Sequence, residues 1–335
     1  MDRVTLGRTG LDVSRLSLGG LFVMSAFAEQ DEAQRIVERA LHLGINYIDT
    51  APGYGDSEQV LGKILPSIEA PFILSTKLGE RSNEDPLAAQ DASAIRDCFR
   101  RSLDLLNRAS VDMLIIHEPD RPGQTDWWTD MMNVEGPVLD VLDELKAEGL
   151  IKHTGIGGTT AASLAHLCRS GKFDVVLTAF NYSLLWREAE NDVIPSAKAA
   201  GMGIIVGSPL QQGALAARYD EQLDHPGAYW LSAERKAQFR ALYALLDEVD
   251  IPLPELATRF VLSNPDVHTV LSGARSVAQI EANVASAEKG GLPTDLLSRL
   301  DEIGAMVPFR PSDEPMGLGW HMGSPEKFKG PGRGA

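Results

Sequence analysis

Eight short apolar runs recur along the chain, and an amphipathic helical pattern separates each from the next. They are LSLGG (16–20), INYID (45–49), FILST (72–76), VDMLIIH (111–117), KHTGI (152–156), DVVLT (174–178), GIIVG (203–207) and HTVLS (268–272). A buried strand followed by a helix can return to pair in parallel with its neighbour. Eight such units in succession predict an α/β chain closed as a (β/α)8 TIM barrel. A doubly wound sheet would open with a GxGxxG turn after the first strand, and that turn is absent. The helical segments carry their own punctuation. Ala33, Ile36, Val37, Ala40 and Leu41 share one face, as do Val138, Val141, Leu142 and Leu145. Gly149 is placed to end the second helix. Thr159 or Thr160 is placed to cap the next one, which stops near Gly171.

Three segments depart from the repeat. VTLGRTGLDV, ahead of the first strand, reads as a hairpin plugging the barrel floor. Residues 118–137 form a long loop carrying Trp127 and Trp128, which either pack within it or line a pocket. The chain therefore divides into a barrel over 1–305 and a Pro/Gly-rich C-terminal loop over 306–335. Phe309, Trp320 and Phe328 in that tail call for burial, so a piece around Trp320, His321 and Met322 is expected to cover the barrel mouth.

Charge narrows the partners. Thirty-one Lys and Arg against 47 Asp and Glu give a net charge of −16, with no basic run. Such a chain repels phosphate backbones and anionic lipid surfaces, so neither nucleic acid nor membrane is the expected partner. No run of about 18 apolar residues exists to span a bilayer. The start, MDRVTLGRTG, lacks the apolar stretch of a signal peptide. Cys98 and Cys168 form no disulfide framework or metal knuckle, so a reducing cytoplasm is the expected compartment. No metal is expected either. His117-Glu118 is followed by Arg121 rather than by the second histidine of a zinc motif.

The chemistry of such a barrel sits at the C-terminal ends of its strands. The second run ends in Asp49, followed by TAPGYG with Tyr54 on a glycine-flanked turn. Lys77 directly follows the third run and His117 closes the fourth. A lysine beside a tyrosine favours the phenolate and lowers its pKa, and a carboxylate holds the lysine in place. Asp49, Lys77 and Tyr54 thus form a chain that tunes a phenol for proton transfer, with His117 able to orient the same substrate oxygen.

These residues resemble the aldo-keto reductase family, in its sugar and alcohol dehydrogenase-like branch. LGRTGLDVSRLSLGG, GINYIDTAPGYGDSEQVLGKIL, STKLG, LDLLNRASVDMLIIH and IPLPELATRFVLSNPDVHTVLSGARSVAQIEANV carry the likeness over roughly residues 2–305. It implies an NAD(P)-dependent oxidoreductase that reduces an aldehyde, ketone or sugar to an alcohol, or runs the reverse. Its tetrad falls on Asp49, Tyr54, Lys77 and His117. The family's Ser-Asn pair for the nicotinamide carboxamide is replaced by Gly157 and Gly158, and its stacking aromatic by Gly207. Asn181 falls near the nicotinamide. Ser208, Leu210 and Gly213 line the pyrophosphate. Gly273, Arg275, Gln279 and Asn283 belong to the segment that grips the adenosine, where Ser276 opens a helix. Gly273 stands where many NADP-specific members have lysine. Arg275 is then the cation left to meet a 2′-phosphate, which favours NADP over NAD as cofactor. A small carbonyl or alcohol substrate and a monomer or small homo-oligomer complete the expectation. Two other readings stand beside it: a lyase forming a Schiff base on Lys77, and a non-enzymatic cofactor-binding partner protein such as the potassium-channel beta subunits that resemble this family.

Overall fold

The computed structural model describes residues 1–82, 85–121, 125–224, 231–311 and 314. Its strands are β1 (Arg3–Thr5), β2 (Asp12–Ser14), β3 (Leu16–Gly19), β4 (Tyr47–Asp49), β5 (Ile73–Leu78), β6 (Val111–His117), β7 (Ile151–Gly158), β8 (Val175–Ala179), β9 (Gly203–Gly207) and β10 (Thr269–Ser272). The last eight close into a parallel barrel in chain order, with β10 pairing back onto β3. Every apolar run of the sequence supplies one barrel strand.

Side chains alternate across each strand, and this places the site. Tyr47, Met113, Ile115, Val175, Leu177, Ile205 and Leu271 fill the barrel interior. Their neighbours Ile48, Leu114, Ile116, Val176, Ile204 and Val270 face outward into the helix layer. Two residues beyond Tyr47 comes Asp49, and two beyond Ile115 comes His117. The inward column on each strand therefore changes from apolar to polar as it reaches the C-terminal end.

The floor is closed as expected. β1 and β2 pair antiparallel, and Leu6 and Val13 join the interior cluster from below. Gly7, at φ 49°, lies so close to Gly203 that a Cβ there would collide with the backbone. Arg8 binds the Gly171 and Ala200 carbonyls at 3.1 and 3.2 Å, fixing the hairpin beneath the barrel.

The helix Gln30–His42 buries Ala33, Ile36, Val37 and Ala40, and the helix Pro137–Ala147 is followed by Gly149 at φ 74°. The next helix, Ala161–Arg169, has Thr160 at its N-cap, but the threonine side chain makes no capping bond. Asp120, from the loop after β6, instead anchors the two residues that lead into the helix. Its Oδ2 accepts from Thr159 N at 2.7 Å and from Thr160 N. Truncation by Asp120→Ala leaves two amides without their acceptor, and the fold should lose about 1–2 kcal/mol. Urea unfolding checks this, and an unchanged midpoint would show that the carboxylate adds nothing to the stability of this turn.

Trp127 is fully buried, and its Nε1 donates to the His117 carbonyl at 3.2 Å. Trp128 donates to Pro119 O at 2.8 Å and packs edge-on against Phe173. Both rings stabilise the loop after β6. After the helix Thr294–Ala305 the chain is held at Glu314, whose Oε2 pairs with fully buried Arg235 at 2.8 Å. Trp186 Nε1 donates to Glu314 Oε1 at 2.5 Å. Phe309 does not bury as expected. It is 66% exposed, because this stretch is fixed by polar contacts. The expected cover formed by Trp320, His321 and Met322 falls outside the described residues, as do Phe328 and Trp230.

Candidate active site

Asp49 and Lys77 meet at the top of the interior column, each 1% exposed. Lys77 Nζ lies 2.6 Å from Asp49 Oδ2 and 2.8 Å from the Thr50 carbonyl. The other oxygen, Asp49 Oδ1, accepts from Ser75 Oγ at 2.6 Å, and Ser75 Oγ lies 2.8 Å from the Tyr47 hydroxyl. Neighbouring strands put these groups in register, with Asp49 opposite Ser75 and Lys77 opposite Ile115. The carboxylate is thus fixed on both sides, and the ammonium, held by two acceptors, has one further neighbour in the site.

That neighbour is Tyr54. Lys77 Nζ sits 4.6 Å from the centroid of its ring. Tyr54 reaches the site from a turn in which its amide donates to Ala51 O at 3.1 Å and its carbonyl accepts from Ser57 N at 3.0 Å. Ser57 Oγ in turn bonds Gly20 O at 2.7 Å and lies 2.9 Å from Thr50 Oγ1. Glu58, on the helix Ser57–Ile64, accepts from Thr76 Oγ1 at 2.6 Å and pairs with Arg81 at 2.8 Å. The tyrosine turn and the lysine strand are therefore locked together from outside the barrel. His117 closes the set, its ring edge-on to Tyr54 at a centroid distance of 5.8 Å. Gly79 leaves room for that imidazole, since a Cβ there would stand 3.1 Å from His117 Cβ. All four expected tetrad residues converge.

The electrostatics differ from expectation at one point. Burial raises the Tyr54 pKa, and the nearby Lys77 ammonium only partly offsets it. The phenol therefore stays protonated at neutral pH, where the charge pattern of the sequence had suggested a lowered pKa. Burial was not legible from sequence, and it outweighs the lysine. Burial also acts to lower the Lys77 pKa, but Asp49 and Tyr54 carry it upward. His117 is pushed down to about 3, first by burial and then by the cations Lys77 and Arg121, so its imidazole is neutral. The site holds a neutral phenol, a cation and a neutral imidazole around one opening. It can donate a proton to a developing alkoxide and orient the oxygen that carries it.

The loops around the mouth are strained. Glu118, Phe180, Ser208, Gln211 and Gln212 all have positive φ, between 49° and 65°, and each follows a barrel strand. Such conformations gather where function demands them. Asn181 is buried and donates to Thr178 Oγ1 at 3.3 Å. Gln211, missed in the sequence, donates from Nε2 to Phe180 O at 3.0 Å. Leu210 accepts at 2.9 Å from Gly213 N, and the Gly213 carbonyl accepts from Tyr219 OH at 2.8 Å, so this turn is rigid. The Gly157–Gly158 departure has a physical cause. A Cβ at Gly158 would collide with Asp120 Oδ1, so Asp120 fills the space where that side chain would begin. Asp120 Oδ1 and Thr159 Oγ1 are buried there without partners.

Farther round the mouth, Ser276 caps the helix Val277–Glu288 through a bond from Gln279 N at 3.3 Å. Gln279 Oε1 accepts from Arg275 N at 2.7 Å, and Asn283 Nδ2 donates to Ser272 Oγ at 2.8 Å and to Gly273 O at 3.2 Å. The Arg275 guanidinium lies over Phe22 and Phe27, 4.8 and 4.5 Å from their centroids. No group of three His, Cys, Asp or Glu suited to a metal ion occurs among the described residues. Nor does any helix there have the length and apolarity to cross a membrane.

Comparison with known proteins places the chain by family and fold. The Aldo/keto reductase family model matches residues 15–305. L-galactose dehydrogenase from Arabidopsis thaliana is 30% identical over 311 residues, covering 89% of this chain and 92% of its own length. D-threo-aldose 1-dehydrogenase from a Pseudomonas species is 29% identical, covering 88% and 94%. The holo form of an aldo-keto reductase from Bacillus halodurans superposes with a TM-score of 0.75 at 26% identity, covering 93% of this chain and 99% of that one.

Proposed function

The chain belongs to the aldo/keto reductase family, an NAD(P)H-dependent oxidoreductase family, and we propose that it interconverts a sugar or related small aldehyde or ketone with its alcohol, using Tyr54 as the proton donor and acceptor. The buried Asp49–Lys77 pair, 2.6 Å apart and aimed at the Tyr54 ring, carries this reading. The names of the two sugar dehydrogenases above support a sugar carbon as the reacting centre.

The mouth fits a nicotinamide cofactor at three places. Asp120 Oδ1 and Thr159 Oγ1 offer an acceptor and a hydroxyl without partners, the complement of a primary carboxamide, and Asn181 lies at the end of the next strand. Ser208, Leu210 and Gly213 form the turn for the pyrophosphate, and Gly273, Arg275, Gln279 and Asn283 the segment for the adenosine. When bound, the cofactor supplies or takes the hydride. Tyr54 then holds the substrate oxygen and gives its proton as charge develops there, with Lys77 stabilising the phenolate left behind. His117, neutral, donates a second hydrogen bond that fixes the oxygen. In the reverse direction the same phenolate takes the alcohol proton.

The lyase alternative is disfavoured by the same contacts. A Schiff-base lysine needs a lowered pKa, whereas Lys77 is held as an ammonium by Asp49 and the Thr50 carbonyl. The testing experiment is a panel of aldoses, aldehydes, ketones and alcohols with each cofactor, read by nicotinamide absorbance, together with borohydride trapping. Turnover without adduct on Lys77 is expected. Trapped substrate on Lys77, or no turnover in either direction, would contradict the proposal.

A further inference from the structure

We infer that the adenosine end of this site selects NAD(H) and rejects the 2′-phosphate of NADP(H), and that Glu32 is the selecting residue. This rests on the reading that the segment from Gly273 to Asn283 holds the adenosine.

Glu32 stands in the first turn of the helix Gln30–His42, yet it bonds to a different helix. Its Oε1 accepts from Val277 N at 3.1 Å, the first residue of the helix Val277–Glu288. The opening amides of a helix are where a phosphate would be drawn, because they lack partners and carry the positive end of the dipole. Here side-chain oxygens already occupy two of them. Glu32 takes Val277 N and Ser276 Oγ takes Gln279 N, while just ahead of the helix Gln279 Oε1 takes the amide of Arg275. One of these three oxygens belongs to a carboxylate. A 2′-phosphate arriving there meets a like charge and must displace it. A ribose with a free 2′-hydroxyl brings a donor instead, which a carboxylate accepts; this is the logic by which an acidic side chain marks NAD sites on other folds.

The cations nearby do not reverse that balance. Arg35 is committed to Glu32 itself, donating from Nε to Oε2 at 3.0 Å. Arg275 is drawn over the Phe22 and Phe27 rings, which lie 5.1 Å apart. Phe22 also forbids a lysine at the neighbouring position, since a Cβ on Gly273 would collide with its ring. Phe22 thus holds one cation and excludes another. Arg275 had favoured NADP as the one cation evident in the sequence of this segment. Its aromatic partners and the carboxylate on the helix favour NAD.

Titration of the full-length protein with NADH and NADPH, followed by calorimetry, tests this. The wild-type protein should bind NADH at least about tenfold more tightly. Glu32→Gln keeps an oxygen to accept from Val277 N but removes the charge. It should tighten NADPH binding about tenfold and change NADH binding less than about threefold. A wild-type protein that binds NADPH as tightly as NADH, or a Glu32→Gln variant with an unchanged ratio, overturns the assignment of Glu32 and leaves the hydride-transfer reading standing. Binding of neither nucleotide overturns both.

Discussion

Tyr54→Phe should lower kcat by about 10²–10⁴-fold while the dissociation constant for the nicotinamide cofactor stays near the wild-type value. The phenylalanine keeps the ring that packs beside His117 and Lys77, so the turn from Ala51 to Ser57 has no reason to move. Only the hydroxyl is lost, and in the proposed mechanism its work falls in the transition state, when charge appears on the substrate oxygen. The loss therefore belongs in kcat rather than in cofactor binding. Stopped-flow turnover combined with fluorescence titration separates the two. A variant with near-normal kcat would remove Tyr54 from the proton-transfer role.

Lys77→Met should be at least as damaging, and for two reasons. It removes the cation that stabilises the Tyr54 phenolate, and it strands the Asp49 carboxylate at 1% exposure. Breaking a buried pair by removing one partner costs about 3–5 kcal/mol of stability. The catalytic signature is distinct from that loss. In the proposed mechanism alcohol oxidation needs the phenolate, so its rate should rise as pH climbs through the Tyr54 pKa. Lys77 lowers that pKa, although burial keeps it above the ordinary phenol value. Without the lysine, the alkaline rise should move upward by about 1–3 pH units. Carbonyl reduction needs the protonated phenol, so its fall at high pH should move the same way. A variant that is less stable but keeps the wild-type pH profile would show Lys77 to be structural only.

The barrel was legible because strand and helix write different periods, and each of the eight apolar runs is bounded by a helix pattern. The tetrad was legible for a related reason. Asp49, Lys77 and His117 lie an even number of residues beyond inward-facing apolar or hydroxyl positions, so alternation carries them into one mouth. What escaped depends on contacts between segments distant in sequence. Asp120 anchors the entry to a helix some forty residues away and fills the space beside Gly158. Glu32 reaches Val277 across 245 residues. Phe22 and Phe27 capture Arg275 from the opposite end of the chain. No local pattern announces such meetings. The Tyr54 pKa escaped for another reason. Its direction is decided by burial against one charge, and only the packed structure sets the burial.

Single-turnover transfer from a nicotinamide cofactor deuterated at C4 tests the central claim most directly. The enzyme is loaded with labelled NADH and mixed with the best carbonyl substrate from the panel. Product is then analysed by mass spectrometry. The account predicts deuterium on the former carbonyl carbon with the wild-type enzyme, and transfer slowed by about 10²–10⁴-fold in Tyr54→Phe with the label still enzyme-bound. Label lost to solvent, or transfer at the wild-type rate without the Tyr54 hydroxyl, would contradict it.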